Sequence, residues 1–301
     1  MSQLENLKNL KTKLYGEFFT DDLYKSIYAT DASVYRKKPL AVAIPKTKED
    51  IKVLLQFANK HKLGLTPRTA GTSLAGQCVT DGIVVDTSKY FNEIISFNKE
   101  KQTVTLQPGV IRDDLNRFLK PHGLFFGPNT STSNRCMIGG MVGNNSSGTT
   151  SIRFGVTRDK IIELKTILSD GSEAVFNSIS SEDFLRKIKG DSLENKIYKN
   201  IHKELSDVAQ QKEIHTKFPK PEIHRRNTGY AIDILLKSEL FGGTEKEINI
   251  GKLLCGSEGT LAFTTEITVQ LDLLPPVHNI MIGVHFNSVQ ESLEAVVTAM
   301  K

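Results

Sequence analysis

Residues 128–148 read Pro-Asn-Thr-Ser-Thr-Ser-Asn-Arg-Cys-Met-Ile-Gly-Gly-Met-Val-Gly-Asn-Asn-Ser-Ser-Gly, and we call them the glycine segment. Glycines allow a ligand to approach the main chain closely, while Asn, Ser and Thr offer hydrogen-bonding groups on short side chains. A second stretch of the same character, Pro67-Arg-Thr-Ala-Gly-Thr-Ser-Leu-Ala-Gly-Gln77, is called the first loop. Two such segments in one chain indicate an extended polar ligand, most simply a dinucleotide.

The composition limits the class of protein. The chain has 301 residues, of which 39% are hydrophobic and 24% charged, and this balance is typical of a soluble globular protein. No apolar run approaches the roughly 20 residues that span a bilayer, and the N-terminus lacks the basic-then-apolar layout of a signal peptide. We therefore expect a cytoplasmic protein, with peripheral association at the inner membrane as the alternative.

Charge and cysteine content exclude further classes. A net charge of +5 over 301 residues is a mild excess that suits anionic ligands or a membrane surface and does not indicate nucleic-acid binding. Cys78, Cys136 and Cys255 are far apart and lack metal-ligand spacing, so we expect neither a disulfide framework nor a metal site. Each is expected to be a small buried hydrophobe beside a tight site, with a redox role as the alternative.

Hydrophobic patterning predicts alternating strands and helices. Thr47 and Asp50 predict a capped helix, and Asp170-Gly171 predicts a hairpin turn. Residues 1–38 are expected to be helical, and residues 180–212 to form an exposed charged helical insertion. Strands are predicted at 41–44, 82–86, 94–97, 103–106, 161–168, 173–176, 264–271 and 280–286, and further helices at 51–58, 111–119 and 289–300.

The usual phosphate-binding signatures are absent from this sequence. Neither G-x-G-x-x-G after a strand nor the P-loop pattern occurs. Successive main-chain N–H groups in a turn can bind an anion instead, and residues 69–74 could do so with added hydroxyls from Thr72 and Ser73. An ordinary turn after a helix is the alternative interpretation of this loop.

Four motifs in order resemble a known family. The first loop looks like the pyrophosphate loop of the vanillyl-alcohol oxidase-type flavoproteins, which carry a PCMH-type FAD-binding domain. Residues 137–148 with 153–159 look like the second flavin segment, residues 256–262 match the third, and Asn227-Thr-Gly-Tyr230 is also similar. The resemblance covers roughly residues 40–275. It is closest to the D-lactate and glycolate dehydrogenase branch, and within it to the N-terminal part of long members that carry a later iron–sulfur domain.

The resemblance implies an α+β fold in which two α+β subdomains hold FAD between them. It divides the chain into an N-terminal helical segment (1–39) and FAD-binding subdomain 1 (40–93). FAD-binding subdomain 2 follows at 94–275 and contains a charged helical insertion at about 178–250. Residues 276–301 would begin a truncated substrate (cap) domain. An iron–sulfur cluster is expected only in a missing C-terminal region.

The same resemblance implies which residues hold the cofactor. The pyrophosphate would lie on Arg68, Thr69, Ala70, Gly71, Thr72, Ser73 and Leu74. The ribityl chain and isoalloxazine would lie along Pro128, Thr130, Ser131, Thr132, Ile138, Gly139, Gly140, Asn144, Asn145, Ser147 and Gly148. Gly155, Val156, Gly256, Glu258, Gly259, Thr260 and Leu261 would complete the site. Some relatives attach FAD through a histidine in the first loop, but this loop has none, so we expect non-covalent FAD; a thioether link to Cys136 is the alternative.

His224-Arg-Arg-Asn227 is a second candidate for ligand binding. A guanidinium can grip a carboxylate with two parallel hydrogen bonds, so Arg225 or Arg226 could anchor a 2-hydroxy acid. The alternative is a solvated basic turn or a salt bridge to the charged insertion. No catalytic base can be assigned within the sequence.

The resemblance implies an FAD-dependent oxidoreductase. It would oxidise a small 2-hydroxy acid such as D-lactate or glycolate to the 2-oxo acid, with hydride transfer to flavin N5 and electrons passed to a quinone or carrier protein. Two alternatives remain open. One is an NADPH-dependent flavoenzyme like UDP-N-acetylenolpyruvoylglucosamine reductase, and the other is a nucleotide-binding module without catalysis.

Overall fold

The computed structural model of the chain describes residues 3–220, 223, 225, 226, 229–278 and 280–299. The strands, numbered along the chain, are β1 Glu17–Phe19, β2 Ala41–Ile44, β3 Leu65–Arg68, β4 Ile83–Asp86, β5 Ile94–Asn98, β6 Thr103–Leu106, β7 Leu124–Phe125, β8 Ile161–Ile167, β9 Glu173–Asn177, β10 Ile179–Ser180, β11 Glu247–Ile248, β12 Phe263–Gln270 and β13 Asp272–Leu273. The α-helices are α1 Gln3–Lys11, α2 Asp22–Ile27, α3 Lys48–His61, α4 Arg112–Leu119, α5 Ile138–Asn144, α6 Ser151–Phe154, α7 Ser181–Lys187, α8 Leu193–Leu205, α9 Val208–Lys217, α10 Ile232–Leu235, α11 Gly251–Leu254 and α12 Val289–Ala299. This mixture of helices and strands confirms the expected α+β class.

The first sheet has the order β1-β2-β4-β3. Strands β2, β4 and β3 are parallel, and α3 makes the crossover from β2 to β3. The side chains of β2 and β4 are buried throughout, as expected for strands covered on both faces. Helix α3 begins with the predicted capping box between Thr47 and Asp50 and buries Ile51 and Leu54 against this sheet.

The second sheet is antiparallel, with the order β5-β6-β12-β8-β9. The predicted hairpin of β8 and β9 forms and turns at Gly171, whose φ of +87° suits glycine. Its main core contains Leu106, Leu164 and Ile267, all fully buried, and the inward faces of α4 and α5 pack there too. The first core includes Ile167 and Phe263 from the second sheet, so the two layers meet at β8 and β12.

Three predictions of local structure were wrong in part or in full. Residues 1–38 form the helices α1 and α2 as expected, but they also contain strand β1, because Phe18 is buried and its strand pairs with β2. Residues 180–212 are helical as expected but are not an exposed insertion, since Phe184, Tyr198 and Leu205 join the main core. Residues 280–286 form no strand, because no described segment pairs with them; Ile280 and the neighbouring apolar side chains are largely exposed. The proposed domain boundaries, including a cap domain from 276, stay predictions.

Two elements at the predicted ligand-binding segments were not predicted. Strand β3 overlaps the first loop, and Pro67 interrupts the sequence pattern that would have indicated a strand there. Helix α5 occupies the centre of the glycine segment. The described part of the chain contains no helix whose length and hydrophobicity would let it cross a bilayer.

Glu266 on β12 joins the two layers. Its Oε1 accepts a hydrogen bond from Lys48 Nζ of α3 at 2.5 Å, and its Oε2 lies 2.8 Å from Lys165 Nζ of β8. Burial works to raise the pKa of the Glu266 carboxyl, but hydrogen bonds from the two lysines outweigh it and the pKa falls below its usual value. The carboxylate therefore stabilises the packing of α3 on the second sheet when it is ionised.

Replacement of Glu266 by Gln should lower the free energy of unfolding at pH 7 by about 1 kcal/mol, because both lysines lose a charged acceptor. The folded pKa is depressed, so this contribution is complete above the unfolded pKa of about 4.3 and is lost as the pH falls through the folded value. Urea unfolding of both proteins from pH 7 to pH 3 measures the difference.

Glu173→Gln is the matched control, since Glu173 also pairs with a lysine of α3, Lys52, but is 51% exposed. Its effect should stay below about 0.5 kcal/mol. The stabilising role of the Glu266 carboxylate would be contradicted if the two variants lost the same free energy of unfolding at pH 7. It would also be contradicted if Glu266→Gln remained less stable than the parent at pH 3.

Candidate functional site

A cavity of about 520 Å³ opens where the first loop, the glycine segment and residues 254–264 meet. Its described lining is mostly small or polar, as a close main-chain approach to a ligand requires. The charged residues in this lining are Arg68, Arg135 and Glu258. The cavity is therefore a cleft with two cationic side chains and one anionic side chain.

The first loop leaves β3 at Arg68 and turns at Gly71, where φ is +64°. A Cβ at Gly71 would collide with the Arg68 guanidinium, so the loop folds tightly over this side chain. Arg68 Nη1 donates to the Thr30 carbonyl at 2.8 Å, and the guanidinium carbon lies 5.2 Å from the Tyr28 ring centroid. Arg68 thus serves as the internal support of the loop and still lines the cavity.

The glycine segment reaches the cavity through α5. Glycine at 139 allows the helix to pack on Pro108, since a Cβ there would lie 2.9 Å from the Pro108 carbonyl oxygen. Glycine at 140 allows contact with the first loop, because a Cβ would lie 2.7 Å from Thr69 Oγ1. Two adjacent glycines thus bring α5 against both the protein core and the first loop.

Residues 256–259 close the cavity from a third side. Gly256 N donates to the Val142 carbonyl at 3.0 Å, and Glu258 N donates to the Gly143 carbonyl at 2.8 Å. Glu258 has a left-handed backbone with φ +54°, which is uncommon for a residue with a side chain. Gln77 Nε2 donates to Glu258 Oε1 at 3.3 Å, so the first loop and this segment also touch.

The structure brings together just over half of the predicted cofactor residues. Those that line the cavity are Arg68, Thr69, Gly71, Thr72, Ser73, Leu74, Thr130, Ser131, Thr132, Gly139, Gly140, Asn144, Glu258 and Gly259. Those that lie outside its lining are Ala70, Pro128, Ile138, Asn145, Ser147, Gly148, Gly155, Val156, Gly256, Thr260 and Leu261. Cofactor contact by either set stays a prediction, but the two predicted segments do share one cleft.

Some of the outlying residues have structural contacts instead. Asn145 is fully buried; its Oδ1 accepts from Arg158 N at 2.9 Å, and its Nδ2 donates to the Arg226 carbonyl at 3.4 Å. Thr260 Oγ1 donates to the Ser257 carbonyl at 2.6 Å and lies 2.7 Å from the Tyr230 hydroxyl. These polar groups therefore tie segments of the protein together around the cavity.

The two candidate arginines differ in their surroundings. Arg226 is largely buried and forms an ion pair with Asp233 of α10, in agreement with the salt-bridge alternative. Arg225 is exposed, and its Nε donates to Ser147 Oγ of the glycine segment at 3.0 Å. Neither lines the cavity. His224 and Asn227 of the same motif lie outside the described residues.

Sequence reasoning missed several lining residues. Arg135 stands inside the glycine segment, is exposed and donates to Asn134 Oδ1 at 3.2 Å; its charge could have marked it. Ala32 comes from the N-terminal segment, and no local signal could have placed it at the cavity. Cys78 and Cys136, which we expected from the sequence to lie beside a tight site, line the cavity too, and burial raises the pKa of both thiols.

The chain is similar to proteins of known family. A family described as an FAD binding domain matches residues 39–176. A D-2-hydroxyglutarate dehydrogenase of Haemophilus influenzae is 34% identical over 295 residues, which are 96% of this chain and 28% of that protein. The glycolate oxidase subunit GlcD of Bacillus subtilis is 37% identical over 147 residues, 48% of this chain and 31% of that protein.

Similarity in structure extends over most of the chain. An alkyldihydroxyacetonephosphate synthase superposes on 91% of this chain and 45% of its own, with a TM-score of 0.60 at 16% identity, which supports a shared fold. The chain spans less than a third of the length of the dehydrogenase and of the glycolate oxidase subunit named above.

The glycines of α5 permit a direct test of this geometry. Gly139→Ala should lower the free energy of unfolding by about 2 kcal/mol, because the methyl group would press on Pro108. Gly143→Ala is the control in the same helix: its Cβ would lie 3.8 Å from Glu258 Cα, and alanine favours helix. That variant should be as stable as the parent or up to about 1 kcal/mol more stable. Urea unfolding of the three proteins measures the difference. A Gly139→Ala variant as stable as the parent would contradict the close packing of α5 on Pro108.

Proposed function

Since this chain carries an FAD binding domain of the PCMH-type family, in the branch of the D-lactate and glycolate dehydrogenases, we propose that it binds FAD non-covalently as part of a 2-hydroxy-acid dehydrogenase. The observation that carries the proposal is the single cavity shared by the first loop and the glycine segment. Its volume of about 520 Å³ falls within the range of cofactor sites.

The residues present suit a dinucleotide. The glycines at 71, 139 and 140 line the cavity, where the absence of a side chain lets a ligand approach the main chain closely. Thr72, Thr130 and Ser131 supply hydroxyl groups to the cavity lining. We propose that the first loop holds the diphosphate, while α5 and residues 130–132 hold the flavin half.

Two features support a non-covalent complex. The first loop has no histidine, and the cavity cysteines are partly buried. Burial raises the pKa of the Cys78 and Cys136 thiols, so both stay protonated near neutral pH and are poor nucleophiles. A thioether link is therefore disfavoured.

When bound, FAD supplies an acceptor for the hydride of the substrate. Among the two candidate arginines, Arg225 is the one we propose as the anchor of a substrate carboxylate. Its guanidinium is exposed, stands beside Ser147 and is not part of the Arg226–Asp233 ion pair. A planar guanidinium fixes the orientation of a carboxylate through two hydrogen bonds, and this orients the carbon that is oxidised.

The substrate class rests on the relatives. The dehydrogenase that aligns with 96% of the chain is named for D-2-hydroxyglutarate, and the glycolate oxidase subunit for glycolate, so we propose a small 2-hydroxy acid. These relatives favour this reading over the NADPH-dependent reductase. The electron acceptor, an iron–sulfur centre in a further domain and membrane association remain predictions.

A visible absorption spectrum tests the proposal. The chain incubated with FAD and freed of excess ligand should keep a flavin band near 450 nm, and acid precipitation should release all of the flavin. In the complete dehydrogenase of which we propose this chain to be a part, D-2-hydroxyglutarate, D-lactate or glycolate should bleach the band without NADPH. A colourless chain after reconstitution would contradict FAD binding, and bleaching by NADPH alone would contradict the substrate class.

Arg225→Gln provides the comparison for substrate binding. The variant should retain the flavin band, while the hydroxy-acid concentration needed for half-maximal bleaching should rise at least tenfold, because one charged hydrogen-bonding partner is lost. Arg117→Gln, which changes an exposed arginine of α4 outside the cavity lining, should leave that concentration unchanged. Equal behaviour of the two variants would remove Arg225 from the substrate site.

A further inference from the structure

Residues 28–35, which we call the strap, lie against the first loop. Ala32 N donates to the Gly71 carbonyl at 3.2 Å, and the Thr30 carbonyl accepts from Arg68 Nη1 at 2.8 Å. The Tyr28 hydroxyl donates to Asp86 Oδ2 at 2.5 Å, at the end of β4. The strap is thus attached both to the first loop and to the parallel strand beside it.

Asp31 is the strap residue that contacts Ser73 of the first loop. Its Oδ2 accepts from Ser73 Oγ at 2.6 Å, and its Oδ1 accepts from Ser33 N at 2.8 Å. Partial burial works to raise the pKa of this carboxyl, but hydrogen bonds from Ser33, Ser73 and the Cys78 main chain outweigh it and the net pKa is lowered. Asp31 is therefore an ionised acceptor at neutral pH.

The contact with Asp31 limits the hydrogen bonds that Ser73 can make to a ligand. Ser73 Oγ lies 2.6 Å from Asp31 Oδ2 and 3.5 Å from Cys78 Sγ. The serine hydroxyl has one proton, and the nearer, ionised carboxylate oxygen is the stronger acceptor, so we assign the proton to Asp31. Ser73 lines the cavity and Asp31 does not, so the carboxylate lies behind the serine as seen from the cavity. While the Ser73 hydroxyl donates to Asp31, it cannot donate to a phosphate. The same hydrogen bond fixes the path of the main chain through Thr72, Ser73 and Leu74.

We propose that Asp31 is a positioning residue for the diphosphate of a bound dinucleotide, acting through Ser73 to fix the shape of the first loop; this rests on the proposed function. The diphosphate is received by main-chain N–H groups of the loop and by Thr72. The Ser73 hydroxyl serves as an internal fastening of the loop.

The sign of the effect separates this role from simple electrostatics. The Asp31 carboxylate lies behind Ser73, and its negative charge repels an anionic diphosphate in the cavity. By Coulomb's law alone, removal of this charge would therefore strengthen binding of the diphosphate. Loss of the fastening has the opposite effect, because a loosened loop must be ordered again when the ligand binds.

The experiment measures FAD and ADP binding to the chain and to three variants by isothermal titration calorimetry. Asp31→Asn and Ser73→Ala should each lower the affinity for FAD and for ADP about tenfold. The amide of Asn has one oxygen where the carboxylate has two, and Ala has no hydroxyl to donate. The double variant should bind both ligands as well as the more impaired of the two single variants, because both changes break the same contact. ADP is included because it carries the diphosphate without the flavin.

Asp21→Asn is the matched control. Asp21 carries the same charge in the same N-terminal segment and caps α2 through Tyr24 N, where Asn caps equally well. It should leave both affinities unchanged, because it removes a negative charge from the N-terminal segment without touching the first loop.

Unchanged or tighter binding by Asp31→Asn would overturn the proposal, as would independent, additive losses in the double variant. If Asp31→Asn does not fold, Ser73→Ala decides: tenfold weaker binding supports the proposal and unchanged binding overturns it. Failure of the unmodified chain to bind FAD would instead refute the proposed function itself, and with it the inference; binding of FAD without any binding of ADP would overturn the inference alone.

Discussion

The close approach of α5 to the first loop is the constraint on which the site depends. A methyl group at position 140 would lie 2.7 Å from Thr69 Oγ1, and one at 139 would press on Pro108. The helix therefore reaches the loop only because two adjacent residues lack side chains. Main-chain hydrogen bonds from Gly256 and Glu258 to the C-terminal half of the same helix fix its other side. The cavity exists because these contacts hold three distant segments together.

The arginines near the cavity divide into supports and candidates for ligand binding. Arg158 is buried and donates from Nε to the Lys252 carbonyl at 3.1 Å, and Arg226 pairs with Asp233. Burial lowers the pKa of the Arg158 guanidinium, an indication of how far it is removed from solvent. Arg135 and Arg225 are exposed, and each has a hydrogen bond to a neutral side chain. Of the exposed pair, Arg135 lines the cavity and Arg225 does not, while the buried Arg158 and Arg226 tie neighbouring segments of the chain together.

Local patterns in the sequence predicted the parts of the fold that local chemistry determines. The capping box at Thr47 and the hairpin turn at Gly171 depend on residues next to one another, and both formed as expected. Strand β3 was missed because Pro67 interrupts its pattern, and α5 was missed because its glycines lower helix propensity. In both cases tertiary contacts override the local preference.

At the candidate site, too, the sequence predicted what local patterns determine and missed what contacts between distant segments determine. The two glycine-containing segments were recognised because small residues at a ligand site leave a signature in the sequence. The part played by Asp31, and the pairing of Arg226 with Asp233, depend on contacts between segments that only folding brings together. Residues such as Asn145, predicted at the flavin, have their polar atoms in contacts within the protein.

Hydrogen–deuterium exchange of the chain with and without FAD tests the central claim most directly. Saturating FAD should slow exchange in residues 69–74 and in residues 138–146 together, while α12, which lies outside the cavity lining, should exchange at its former rate. Protection of only one of the two segments, or of neither, would contradict the claim that one ligand lies across both.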